Sequence, residues 1–195
     1  MKPMAVIAVL AALVASAPSR AEEPSLGRLW ADFGLGYGNL HSSSTPDTGG
    51  GLWLDAQIGG RINSQWLAGL NIGGLGMQPA SSNYNSDNPD IYGQGITNVF
   101  VVFQFEPKSD HGWFVGGGAG EVIYANKRLA DETGNTRSGS GHGAIARIGY
   151  DWRSSNRGHL EATMGYELGN VGLYAPVGGN FRFSIIAASI HVAYH

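Results

Sequence analysis

The chain falls into eight stretches in which apolar residues alternate with glycine, polar or charged residues at a period of two. The clearest are the sixth and seventh. In the sixth, Ala144, Ala146, Ile148, Tyr150 and Trp152 share one face, and Gly143, Arg147, Gly149 and Asp151 share the other. In the seventh, Leu160, Ala162, Met164, Tyr166 and Leu168 oppose His159, Glu161, Thr163, Gly165 and Glu167. Successive side chains of a strand point to opposite faces, so each stretch predicts a strand with one apolar and one polar face. About ten such residues, tilted, cross a bilayer. The pattern predicts an all-β chain, an eight-stranded antiparallel up-and-down transmembrane β-barrel with lipid outside and a polar lumen inside.

The first strand is expected over 29–37, the second over 52–61, the third from Trp66 past Ile72, the fourth near 98–106 and the last near 186–194. The fifth, 113–124, is the hardest to register because Gly116, Gly117, Gly118 and Gly120 blur its alternation. Placing Glu121 in the lumen turns Phe114, Val122 and Tyr124 toward lipid, and a bulge at the glycines could flip half the strand. Polar, Gly-rich segments at 39–51, 77–95, 126–141 and 170–180 are expected as long loops. They alternate with short turns near 63–64, 107–111 and 154–158. Short periplasmic turns and longer external loops are what an even-stranded meander with both ends in the periplasm requires.

Aromatic residues give a second, independent pattern. Trp30, Trp66, Trp113 and Trp152 lie beside the N-terminus or a short turn, with Tyr194, Phe103, Phe105 and Phe114 at the same end. Tyr37, Tyr124 and Tyr166 lie nearer the long loops. Amphipathic rings favour the headgroup level, so Trp30, Trp66, Trp113, Trp152 and Tyr194 are expected as membrane-interface aromatics.

Composition narrows the picture. Residues 1–21 have a positive start at Lys2, an apolar run over 4–17 and small residues at Ser19 and Ala21, the pattern of a signal peptide cleaved before Glu22. A short periplasmic N-terminal segment, 22–28, then leads into the barrel at 29–195. Removing the leader leaves 195 − 21 = 174 residues, enough for one domain. The absence of cysteine excludes disulfides, thiolate metal sites and Cys nucleophiles. A net charge of −3 leaves no footprint for nucleic acid. Lysine occurs only at Lys2, Lys108 and Lys127, in the leader or in expected connections. A soluble barrel would carry lysine on its solvent-facing strand positions, so a lipocalin-like carrier with inverted faces is disfavoured.

The polar face holds the candidate chemistry. Its expected lumen network is Asp32, Asp55, Arg61, Glu106, Glu121, Arg147, Asp151, Glu161 and Glu167, joined by Gln57, Asn71, Gln104 and His191. An eight-stranded barrel is only wide enough for side chains to fill, and buried charges need partners. These groups are therefore expected to pair with one another as a structural plug, Arg147 with Glu161 among them. Signals for catalysis are thin. Ser138 and Ser140 near His142, or His41 before Ser42, could act with Glu121 or Asp131, yet no nucleophile-elbow pattern is present. Ser189-x-His191 reads as one face of a strand. Asp87 to Asp90 and Asp131-Glu132 read as solvated loop acids, and the histidines lack ligand spacing. No enzyme activity, cofactor or metal is expected.

The strand pattern, the loop asymmetry and the terminal alternation Ile190, Val192, Tyr194 resemble the small outer-membrane β-barrel superfamily. That group includes the OmpA transmembrane domain, OmpX-type and OmpW-type proteins and opacity-like adhesins. The similarity spans 29–195 and carries no catalytic motif; His195 after the terminal aromatic departs from the family pattern. It implies a monomer in the outer membrane of a Gram-negative bacterium, serving envelope structure or surface interaction through four external loops. Partners implied are outer-membrane lipid, lipopolysaccharide and the barrel-assembly machinery, with any surface ligand unidentified. The alternative is a narrow channel or hydrophobic-solute conduit, and less so a lipid A-modifying enzyme.

Overall fold

The computed structural model describes residues 29–42, 48–77, 92–107, 112–128, 136–153, 158–174 and 179–194. The expected leader and the segment 22–28 lie outside them. Eight strands follow in order: β1 (Leu29–Ser42), β2 (Gly49–Arg61), β3 (Trp66–Met77), β4 (Tyr92–Phe105), β5 (Gly112–Arg128), β6 (Thr136–Arg153), β7 (Gly158–Leu173) and β8 (Asn180–Tyr194). Each pairs antiparallel with the next, and β8 returns to β1 to close the barrel. Closure leaves no sheet edge, which is the condition for a strand structure to sit in lipid.

The ladder fixes the stagger. From Ala31 the pairing passes through Ile58, Leu70, Val101, Ala119, Ala144, Leu168 and Ser184, and meets β1 again at His41. The register climbs 41 − 31 = 10 residues per circuit. Eight strands with that shear tilt strongly and enclose a bore that side chains can fill.

The strands are longer than a bilayer needs, and this is the main departure from expectation. Pairing of β1 with β2 continues to Leu40↔Gly49, and that of β5 with β6 to Lys127↔Thr136. Segments read as loops from their polar, Gly-rich composition are strands there. The described strands leave 43–48, 78–91, 129–135 and 174–179 between them at the long-loop end. Lys127, expected in a loop, belongs to β5.

The outer face explains why polar residues continue the strands. An apolar band runs from Trp66, Trp113, Trp152 and Tyr194 at the short-turn end up to Tyr37, Leu52, Val99, Ile186 and Leu168. Beyond that level the same outward positions become Asn39 and His41, Thr97, Glu121, His142, Asn170, Ser184 and Arg182. Outside the hydrocarbon, a strand keeps its ladder and changes only its solvent face.

That change corrects the register of β5. Phe114, Val122 and Tyr124 point inward and are buried, while Glu121 is exposed on the outer wall. The strand pairs continuously with β4 and β6. The expectation failed because it placed the lone carboxylate in the lumen, whereas Glu121 sits where the outer surface has already turned polar. Trp30 is a second correction. It shares parity with Asp32, and at 1% exposure it is packed inside the barrel, away from any interface.

Candidate functional site

The lumen has two unlike halves. At the short-turn end the inward positions are mostly polar, Asp32, Gln57, Arg61, Asn71, Gln104, Glu106, Arg147, Asp151, His159, Glu161 and His191, all but Arg61 and Asp151 buried, with Trp30, Leu67 and Phe114 packed among them. Toward the long-loop end they become a continuous apolar cluster that includes Trp53, Leu75, Phe100, Val122, Phe183 and Ile185. The expected polar lumen thus occupies only one half.

Within the polar half the contacts are specific. Arg61 Nη2 donates to Glu106 Oε2 at 2.8 Å, and Gln104 Nε2 donates to the other oxygen at 3.0 Å. Burial pushes the Glu106 carboxyl, one residue past the end of β4, above the usual carboxylate range against the pull of Arg61. Asp151 Oδ2 lies 2.7 Å from His159 Nδ1. Deeper in, Asp32 accepts from Gln57 at 2.9 Å and faces His191 Nδ1 at 2.8 Å. The other ring nitrogen of His191 meets Ser189 Oγ at 2.7 Å and Thr163 Oγ1 at 3.0 Å. Gly34 makes this possible, because a Cβ there would overlap Asp55 Oδ1 and the His191 ring.

The expected Arg147–Glu161 pair does not form. The β6–β7 hairpin puts Gly165 opposite Arg147 and Asp151 opposite Glu161. Arg147 instead reaches across the bore to Asp55, at 3.9 Å. Glu161 and Glu167 are each 1% exposed; Glu167 accepts from Asn98 Nδ2 at 2.8 Å inside the apolar half. Among the described residues, six lumen carboxylates (Asp32, Asp55, Glu106, Asp151, Glu161 and Glu167) face two arginines, Arg61 and Arg147. Glu161 Oε2, Glu167 Oε1 and Asp151 Oδ1 have no protein hydrogen bond. Charges so placed are costly unless they find a partner.

Several members escaped sequence reasoning. His159 shares parity with Glu161, and Asn98 with Gln104, so both were visible as inward positions. The roles of Thr163 and Ser189 were not, because they depend on which strands close the barrel. Of the outer candidates, Glu121 and His142 are direct cross-strand neighbours on the wall, and Ser140 Oγ accepts from Tyr174 Oη at 2.8 Å. Asp131 and the acids of 87–90 lie outside the described residues.

Asp32, His191 and Ser189 have the hydrogen-bond order of a hydrolytic triad. The arrangement cannot admit a substrate. Ser189 is 8% exposed, Thr163 shares its hydrogen bond to His191, and the adjoining cavity holds about 10 Å³, room for one water. Among the described residues no cluster of His, Asp or Glu could hold a metal ion.

No family model and no curated protein matches the sequence at a significant level. Solved structures do match in shape. Neisserial surface protein A (NspA) is 14% identical with a TM-score of 0.53, covering 86% of this chain and 98% of that one. A major outer membrane protein from Thermus thermophilus is 9% identical with a TM-score of 0.54, covering 84% and 98%. Ail, the attachment invasion locus protein of Yersinia pestis, is 11% identical with a TM-score of 0.51, covering 86% and 99%. The fold is that of the small eight-stranded outer-membrane barrels. Identity this low fixes the barrel and leaves its use to be argued from the chain itself.

Proposed function

We propose that this chain is exported on residues 1–21 and folds in the outer membrane of a Gram-negative cell as a monomeric, non-conducting barrel. Its short turns face the periplasm, and its long-loop end stands above the lipid as a rigid platform. The connections 43–48, 78–91, 129–135 and 174–179 then serve envelope structure or contact with a surface ligand, since loops on a rigid scaffold are where binding resides. Outer-membrane lipid and lipopolysaccharide surround the wall, and β8, ending at Tyr194, is offered to the barrel-assembly machinery.

The observation that carries this reading is the apolar filling of the long-loop half of the bore. Phe100, Leu75, Ile96, Ile185 and Val122 are each 1% exposed or less, and a polar solute has no way past them. A catalytic role is disfavoured for the same reason, because Ser189 and His191 are closed off from that end. Planar-bilayer recordings of the refolded barrel test the proposal. Silence under applied voltage is expected. Reproducible unit conductance steps would show that the filling opens, and the channel reading would replace this one.

A further inference from the structure

The cavity of about 10 Å³ lies where the polar and apolar halves of the bore meet. Trp53, Ile145 and Ile185 give it apolar lining, and Asp55, Arg147 and Glu167 bring charged groups to it. Each of these three is more than nine-tenths buried, and each keeps one atom without a protein hydrogen bond: Asp55 Oδ1, Arg147 Nη2 and Glu167 Oε1. Buried polar atoms nearly always have a partner. Arg147 Nη1 lies 3.9 Å from Asp55 Oδ2, too far for a direct hydrogen bond and a separation that a bridging water can span.

A second observation comes from the backbone. Gly165 of β7 sits directly opposite Arg147 and lines the same cavity. Its φ is not positive. Among the described residues, a Cβ there would meet only Ile145 Cδ1 at 3.7 Å and the Ala146 carbonyl oxygen at 3.8 Å, both ordinary contacts. Neither conformation nor a clash demands glycine at this position. Glycine weakens a strand, and here its bare backbone keeps space open beside three unsatisfied groups.

We propose that this space is the site of one buried water molecule, which accepts a hydrogen bond from Arg147 Nη2 and donates to Glu167 Oε1 and to the Asp55 carboxylate. The cavity admits a single water, and such a water needs roughly two to four polar partners, which these groups supply. The mixed lining selects water over an ion. A cation would face the Arg147 guanidinium, and an anion would face two carboxylates. Water both accepts and donates. It ties β2, β6 and β7 together across the bore at the base of the apolar filling, and it links Arg147 to Glu167, whose other oxygen takes Asn98. The site is independent of the medium outside the wall and so goes beyond the membrane reading.

The test counts long-lived waters in the full-length barrel, refolded in detergent micelles, by oxygen-17 magnetic relaxation dispersion. Gly165→Ala, whose methyl fills the cavity, should lower the dispersion amplitude by the contribution of a single molecule. Its urea midpoint should fall, although alanine in place of an unstrained glycine ordinarily raises it. Gly165→Ser, whose hydroxyl stands in for the water, should recover the midpoint without recovering the amplitude. Heat-dependent mobility in SDS checks that each variant is folded. Absence of any dispersion in the wild-type barrel overturns the proposal and needs no variant to fold. An unchanged amplitude in folded Gly165→Ala overturns it too, and a raised midpoint there shows that the three groups lose nothing with the space. A wild-type midpoint that differs between sodium and choline at equal ionic strength, with the difference gone in Gly165→Ala, overturns it in favour of a bound cation.

Discussion

The two halves of this barrel are built on opposite plans from one alternating pattern. In the short-turn half, Ile190 and Val192 face outward while Ser189 and His191 face the bore. A few residues along the same strand, Phe183 and Ile185 fill the bore while Ser184 and Arg182 face out. The first half is a membrane barrel, apolar outside and polar within. The second encloses a hydrophobic core. Around Phe100 and Trp53 its outer wall is still apolar, with Val99, Val101, Leu52 and Leu54 exposed, and only nearer the long loops does that wall turn polar as in a water-soluble barrel. Period-two alternation therefore reports that a strand has two unlike faces, and the surrounding medium decides which one is apolar. The stagger of ten lets each strand make the change at its own residue while the level stays common to all.

The sharpest way to break the comparison is to hollow out the apolar half. Phe100 is fully buried at its centre, and Phe100→Ala should cost about 3–5 kcal/mol in urea unfolding of the barrel, as expected for an aromatic core deletion. A cost near zero would mean that this half is not a core. Next comes lipid against water along one strand. Ile190→Arg, in the middle of the apolar band, should cost about 2–4 kcal/mol, while Ser184→Arg above it should cost about 0–1 kcal/mol. Equal costs would erase the boundary.

The polar half should respond through unpaired partners. His191→Ala takes one hydrogen-bond partner from each of Asp32, Ser189 and Thr163, and should destabilise by about 1–3 kcal/mol. A conservative test of geometry is Gly34→Ala, which should disturb the same hydrogen bonds without removing any of their groups. The smallest expected effect is at Glu121. Exposed on the outer wall, it should tolerate Glu121→Gln within about 0.5 kcal/mol. A loss comparable to that of His191→Ala would return it to a buried network.

The barrel itself was readable from the chain, because ten residues of clean alternation, as in Ala144 to Trp152, admit few other structures. The lower outer wall was readable for the same reason. The lumen was half readable. Asp32, Arg61 and Glu161 declared themselves by parity with other polar residues, but the aromatic plug did not. Phe181 and Phe183 look like lipid-facing residues until their outward neighbours Arg182 and Ser184 are considered, whereas Phe100, flanked by outward Val99 and Val101, is placed in the bore by its parity with Asn98 and Gln104. Glu121 was misplaced by assuming one sense of inside and outside throughout. Trp30 was misplaced because its level in the membrane was weighed and its face was not. Long-range contacts such as Arg147 with Asp55 depend on strand closure and tilt, which no local pattern encodes.

The reversal is most directly tested by a single-cysteine scan of the outward positions of β7 and β8, which the absence of native cysteine allows. Each variant carries a nitroxide in vesicles, and its collision rates with oxygen and with a water-soluble nickel chelate are compared. Lipid exposure should dominate at Leu160, Met164 and Leu168 and at Ile190 and Ile186. It should give way to water between Leu168 and Asn170, and between Ile186 and Ser184. Lipid exposure continuing through Asn170 and Arg182, or water exposure along both whole strands, would contradict the two-plan barrel.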